Sequence, residues 1–310
     1  MKIVIIGAGA MGGLFAARLA AAGEDVSVVD VWAEHIEMIR TQGLILETEQ
    51  GDVRAKLAAA AYRSEDLDAV ADLVIIFVKS AMTEAAARSA QTLLGSAGRV
   101  LTLQNGLGNA ETIAALVGAE RVLAGTTAQG ATLLGPGRIR HGGRGDTHIG
   151  RLAGPVDDFC REAAAILTRA GIPAFAEDAV QSLIWGKLVI NAGINALTAL
   201  LRYGNGQLND HEETRELVKL AVTEAVQVAA AAHIPLPYGD AVEKVLAVAA
   251  ATATNRSSML QDILHGRITE IDAINGALVR EGIRLAVPTP VNRTLTLLIK
   301  ALEKNQGIHE

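Results

Sequence analysis

Gly7-Ala8-Gly9-Ala10-Met11-Gly12 has the G-x-G-x-x-G spacing of a loop that cradles a dinucleotide. Gly7 permits the tight turn, Gly9 lets the backbone approach a pyrophosphate, and Gly12 lets the following helix pack on the preceding strand. The first amides of that helix, at Ala10 and Met11, then face the anion. Asp30, 23 residues after Gly7, closes the next strand, where a carboxylate accepts from the hydroxyls of an adenosine ribose. A second constellation is Lys187, Asn191 and Asn195, spaced i, i+4, i+8 on one helical face. Their flanks, Leu183-Ile184-Trp185 and Leu188-Val189-Ile190, are strongly apolar. Three polar side chains there are costly to bury without partners, so the strip reads as the lining of a cleft headed by a cationic acid. A hydrated helix face is the plainer alternative. Glu270 and Asp272, in Arg267-Ile268-Thr269-Glu270-Ile271-Asp272, read as part of a helix that also carries Asn275, and an exposed charged face explains them equally well. Lys79 and Asn105 each follow a strand, the position of a ligand contact in an open α/β sheet. Lys79 alternatively reads as a solvated residue at a helix start. The seven histidines show no paired metal spacing, and no metal site is expected.

The elements that must position these residues are legible as alternating strand and helix. Lys2-Ile3-Val4-Ile5-Ile6 is a short, β-branched apolar run, the mark of a buried parallel strand. A helix over 10–22, a strand over 25–30 and a helix over 33–41 follow. The segments 44–47 and 53–57 predict a small hairpin around Gln50-Gly51-Asp52. A strand over 72–78, a helix over 83–94, a strand over 99–103 and the turn Gln104-Asn105-Gly106 continue the rotation, and 122–150 reads as antiparallel strands that extend or cap the sheet. Beyond 155 the only strand signal is 173–176. Helices are predicted over 156–170, 178–201, 212–232, 240–250, 257–282 in one or two pieces, and 290–303. The fold class is therefore α/β, with an N-terminal Rossmann doubly wound sheet over 1–177 and an all-helical domain over 178–310. Ligands are expected where strands end, in a cleft between the two.

Half of the 310 residues are apolar and a fifth are charged, ample for packed cores. A net charge of −6, without basic clusters, excludes nucleic acid as a partner. The glycines at 7, 9, 12 and 13 and the charge at Arg18 argue against reading the N-terminus as a secretory signal. The apolar run 188–201 is interrupted by Asn191 and Asn195, short of a membrane span. The single cysteine, Cys160, suits a reducing compartment. A soluble, cytoplasmic enzyme is expected, with homodimerisation left open.

Several long motifs, in order along nearly the whole chain, resemble the ketopantoate reductase (2-dehydropantoate 2-reductase) family. They are Gly7-Ala8-Gly9-Ala10-Met11-Gly12, Val78-Lys79, Leu103-Gln104-Asn105-Gly106, the stretch from His141 to Gly150, Trp185-Gly186-Lys187-Leu188-Val189-Ile190-Asn191 and Asn195-Ala196-Leu197-Thr198. The last block runs from Ser257-Ser258-Met259 through Thr269-Glu270-Ile271-Asp272 to Val287-Pro288-Thr289-Pro290. The resemblance implies reduction of 2-dehydropantoate to pantoate, a step toward pantothenate. It implies Lys187 as the catalytic lysine, Glu270 and Ser258 as substrate-site residues, Asn105 as a contact to cofactor and substrate, Asn191 and Asn195 as the polar strip, and Lys79 as a lysine near the cofactor. In such a reaction a protonated lysine donates to the oxygen of a keto group receiving hydride.

One departure concerns the cofactor. The resemblance implies NADP(H), with a basic residue after the second strand, yet Val29-Asp30-Val31-Trp32-Ala33-Glu34 offers no Arg or Lys before Arg40. Asp30 beside a 2′-phosphate would be a like-charge pair, so NAD(H) is expected. Rival readings are a dehydrogenase of the same build for another 2-keto or 2-hydroxy acid, an opine-type condensing reductase, and a regulator that binds NAD(H) without chemistry.

Overall fold

The computed structural model describes residues 1–68 and 70–308. The chain forms two compact units: the first comprises Met1–Gln104 and Asn109–Val180, the second Asn105–Gly108 and the residues from Gln181 onward.

The first unit begins with β1 (Lys2–Ile6), α1 (Ala10–Ala21), β2 (Asp25–Val29), α2 (Ala33–Gln42), β3 (Leu44–Thr48), β4 (Gly51–Ala55) and β5 (Ala59–Ala61). It continues with β6 (Ala71–Ile76), α3 (Thr83–Leu93), β7 (Leu94–Thr102), α4 (Asn109–Val117), β8 (Val122–Thr127), β9 (Ala131–Gly135), β10 (Arg138–His141), β11 (Thr147–Arg151), α5 (Asp158–Arg169) and β12 (Ala174–Ala176). Eight strands form one sheet in the order β12-β11-β8-β7-β6-β1-β2-β5. It is parallel from β8 to β5, and β11 joins β8 antiparallel. The apolar runs account for this pairing. One row across the sheet reads Val28, Ile5, Ile75, Leu101, Leu123, and none of the five is exposed. Each such side chain contributes roughly 1.5–3 kcal/mol by leaving water. The chain leaves β1 toward β2 on one side and returns through β6 on the other, which sets a topological switch point at the carboxyl ends of β1 and β6.

The hairpin expected near Gly51 is present as β3 and β4. It does not stand alone: a second sheet of order β4-β3-β10-β9 includes it. Leu44, Leu46, Ala55 and Ile139 of that small sheet share a core with Leu14 and Phe15 of α1. Gly13 makes the approach possible, since a Cβ there would lie 1.9 Å from Ile139 Cδ1. The stretch 122–150 thus does two things: β8 and β11 extend the large sheet, while β9 and β10 complete the small one.

The second unit contains α6 (Val180–Leu201, whose first residue belongs to the first unit), α7 (Glu212–Ala231), α8 (Ala241–Ala251), α9 (Ser258–Leu264), α10 (Asn275–Leu285) and α11 (Pro290–Asn305). Among the described residues α6 alone is long and apolar enough to cross a membrane, and 67% of its most apolar window is buried inside the protein. Its Trp185, Leu188, Val189, Ala192 and Leu197 belong to the core of this unit. The helix expected over 257–282 is divided, and the division corrects the placement of Glu270 and Asp272: both lie in the non-helical segment 265–274. Gly266 adopts a φ of +63°, and the Thr269 amide donates to the Glu303 carboxylate at 2.8 Å instead of to the preceding turn.

A buried polar network ties four helices together. Glu224 on α7 accepts from the amides of Val291 and Asn292 at 2.8 and 2.9 Å and from Asn292 Nδ2 at 2.8 Å, capping α11. Asn275 Nδ2 donates to Asn292 Oδ1 and to the Ala192 carbonyl of α6. Glu224→Ala strands three donors and is expected to cost about 2–4 kcal/mol, the usual range for unsatisfied buried groups. Urea unfolding measures it, and an unchanged midpoint would contradict the role.

Candidate active site

The first unit carries a cavity of about 510 Å³ at its switch point, with Gly7, Gly9, Asp30, Val31, Arg63 and Lys79 in its wall. The glycines are explained separately. Gly7 has φ +92°, and a Cβ on it would sit 2.9 Å from the Phe77 carbonyl carbon. A Cβ on Gly12 would fall 1.8 Å from the Gly7 oxygen. A Cβ on Gly9 meets no protein atom within 4 Å. No protein neighbour therefore demands a glycine at 9, and the open space beside it suits the close approach of a ligand. α1 starts at Ala10 with Gly9 as its cap, a residue with no side chain to offer the leading amides, of which Ala10 and Met11 supply two. These features fit a dinucleotide pyrophosphate. Asp30 Oδ2 accepts from the buried Ala8 amide at 2.7 Å and Oδ1 from the Trp32 amide at 2.9 Å, which fixes the carboxylate in the cavity wall. Lys79, half-buried, opens a short 3-10 turn over Ser80–Met82 after β6.

The second unit gathers another set. Asn105 Nδ2 donates to Glu270 Oε2 at 3.0 Å. The Asn105–Gly108 loop is seated by the Leu107 amide, which donates to the Ala273 carbonyl at 2.9 Å. Gly106, at φ +86°, lies so close that a Cβ would be 2.1 Å from that carbonyl oxygen. Only glycine serves both demands. The Glu270 turn is held from α11 by Glu303, through Thr269, and by Lys300, whose Nζ lies 2.6 Å from Asp272 Oδ2. Lys187 projects from α6. Burial pushes its ammonium down from 10.5 to about 8, while the neighbouring Glu270 carboxylate pulls in the opposite direction. Tyr238 Oη donates to the Gly186 carbonyl at 2.8 Å, just before Lys187, and burial raises this phenol to about 12, so it remains a donor.

Lys187, Glu270 and Asn105 are thus brought together. Asn191, half-buried, and Asn195, 6% exposed, lie one and two turns further along α6. Ser258 is exposed as the first residue of α9, whereas Ser257 is buried, caps that helix and accepts from Thr198 Oγ1 at 2.7 Å. Sequence reasoning missed Arg63 and Glu303. Arg63 is placed by β5, an Ala-Ala-Ala strand without β-branched residues, and Glu303 sits on an ordinary amphipathic helix, so neither carries a local signal.

Solved structures of the same architecture set the chain among oxidoreductases that use a nicotinamide cofactor. A ternary structure of D-mandelate dehydrogenase with NADH and anilino(oxo)acetate matches at TM-score 0.92 and 31% identity, covering 100% of both chains. A PanE/ApbA family ketopantoate reductase from Ralstonia eutropha JMP134 matches at TM-score 0.91 and 34% identity, over 99% of this chain and 100% of that one. The family model "Ketopantoate reductase PanE/ApbA" matches residues 3–154, and its C-terminal counterpart matches 179–303. The 2-dehydropantoate 2-reductase of Halobacterium salinarum is 37% identical over 98% of this chain and 100% of its own length. The chain belongs to the ketopantoate reductase PanE/ApbA family.

Proposed function

We propose that this chain reduces the keto group of 2-dehydropantoate to the hydroxyl of pantoate, with Lys187 as general acid. The desolvated Lys187 ammonium beside Glu270, in a chain of this family, carries the reading. A bound nicotinamide dinucleotide supplies the hydride. Lys187 would hydrogen-bond the keto oxygen, where negative charge grows on reduction, transfer a proton to it from Nζ and be left as a neutral amine for solvent to reprotonate. Glu270, held by Asn105, orients the ammonium and accepts from a substrate hydroxyl. Asn191, Asn195 and Ser258 complete the substrate contacts. Residues 1–177 serve the dinucleotide through Gly7, Ala8, Gly9, Ala10, Met11, Gly12, Asp30 and Lys79; residues 178–310, with Asn105, serve the acid.

The D-mandelate dehydrogenase likeness favours a second reading, a dehydrogenase for another 2-keto or 2-hydroxy acid. Turnover of 2-dehydropantoate against the keto acid of mandelate, followed by nicotinamide absorbance, separates the two. A kcat/KM favouring the aromatic acid would reject the first.

The acid role has a pH signature. A lysine titrating near 8 is protonated below that value and loses its proton above it. kcat/KM for reduction should be level below pH 8 and fall about tenfold per pH unit above it. A profile level to pH 10 would remove Lys187 as the acid.

For the cofactor we propose NAD(H). Asp30 is fixed by two amides, and Val31, 84% exposed, stands where the family places a base. A 2′-phosphate beside that carboxylate costs roughly 4 kcal/mol per like-charge pair at 4 Å and an effective dielectric of 20. Arg63, in the same cavity wall, partly offsets this. Comparing kcat/KM for NADH and NADPH tests the preference, and Asp30→Ala with Val31→Arg should shift it toward NADPH. A wild type favouring NADPH tenfold would overturn it.

A further inference from the structure

We propose that His35 is a positioning residue for the dinucleotide: it fixes the Ala8 carbonyl, and through it the direction of the Gly9 amide. His35 lies on α2 and is fully buried. The Gly137 amide donates to its Nδ1 at 2.9 Å. A backbone amide can only donate, so Nδ1 is the acceptor and the ring proton is on Nε2. Nε2 in turn donates to the Ala8 carbonyl oxygen, 2.9 Å away. Burial lowers the imidazole's affinity for a second proton, which keeps this tautomer in place. The Trp32 indole stacks on the ring at 5.2 Å and 7°.

The consequence follows from peptide planarity. The Ala8 C=O and the Gly9 N–H belong to one trans peptide and point in opposite directions. With the carbonyl tied to His35, the Gly9 amide is directed away from the imidazole. On the other side of Ala8, its own N–H is tied to Asp30 Oδ2 at 2.7 Å. Both peptides flanking Ala8 are therefore held by side chains, in the loop where Gly9 lines the cavity. Loss of the imidazole bond frees the 8–9 peptide to turn and present a carbonyl oxygen to an incoming phosphate, where charge repulsion opposes binding. Gly137, which holds the ring from behind, sits in the β9–β10 turn at φ +69°. The small sheet thus braces the glycine loop through one imidazole.

Two substitutions separate the bonds. In His35→Gln the side-chain amide reaches the Nε2 position and can donate to Ala8; in His35→Asn it reaches only the Nδ1 position and can accept only from Gly137. The proposal concerns the dinucleotide site alone and is read without substrate, so a failed turnover assay leaves it standing. Fluorescence titration of the full chain with NADH and with NADPH gives Kd for whichever the wild type binds more tightly, and thermal unfolding runs alongside. The Gln variant should bind within threefold of wild type and the Asn variant at least tenfold more weakly, with similar Tm. Asn binding like wild type, or a folded Gln variant binding tenfold more weakly, overturns the proposal. Should the Asn variant fail to fold, the Gln variant alone decides.

Discussion

Lys187→Ala is expected to lower turnover by roughly 10²–10⁴-fold, the range for a positioned general acid, while the fold persists. The side chain leaves α6 beside Glu270, and burial already disfavours its charge. Its removal deletes a desolvated ammonium and therefore should not lower Tm, although it leaves Glu270 without that cation. The core residues that flank it, Trp185, Leu188 and Val189, remain. Stopped-flow or steady-state absorbance of the nicotinamide gives the rate, and circular dichroism verifies the fold. A folded variant with more than half the wild-type turnover would take Lys187 out of the mechanism.

Glu270→Ala should have the next largest effect, lowering kcat/KM for the keto acid by about 10–10²-fold, as for a lost charge-assisted contact of roughly 1.4–2.7 kcal/mol. Dinucleotide affinity should be nearly unchanged, because the cavity in the first unit contains no part of the 265–274 segment. The sign of the pH effect follows from the charges. Glu270 raises the Lys187 pKa against burial, so without it the value falls below 8 and the fall in reduction rate begins at lower pH. Titrations with NADH and with substrate, together with the pH profile of kcat/KM, measure all three quantities. Collapse of cofactor affinity with intact keto-acid affinity would place Glu270 on the wrong side of the reaction.

The strands of the large sheet were legible because burial on both faces demands unbroken apolar runs, and Ile3–Ile6 and Leu73–Ile76 are such runs. β5 was not legible: three alanines carry no strand preference, and only pairing with Val28 and its neighbours makes them one. The small sheet escaped for a different reason, since β3 and β10 are parallel and far apart in sequence, a match that local pattern cannot express. In the second unit the helical period revealed α6 and its Lys187-Asn191-Asn195 face. The same period misled at Glu270: Gly266, at φ +63°, ends α9 with the Arg267 amide turned back onto the Asp262 carbonyl, and the Thr269 amide beyond it goes to Glu303 instead of a new turn. The Asn105–Glu270 hydrogen bond joins residues 165 apart, so resemblance to a family could name both but no spacing could pair them.

The Asn105–Gly108 loop makes the chain cross between the two units three times, at 104/105, 108/109 and 180/181. A protein so threaded is not divisible by one cut. A fragment ending at 177 would carry Leu107 without the Ala273 carbonyl that seats it, and a fragment beginning at 178 would lack Asn105 altogether. During synthesis on the ribosome, the loop must wait for the chain to reach Ala273 before it can settle. Grafting a foreign helical half onto this N-terminal half would likewise leave Gly106 fitted to a backbone no longer there. Recombination between relatives should therefore succeed only when the four loop residues travel with the helical half.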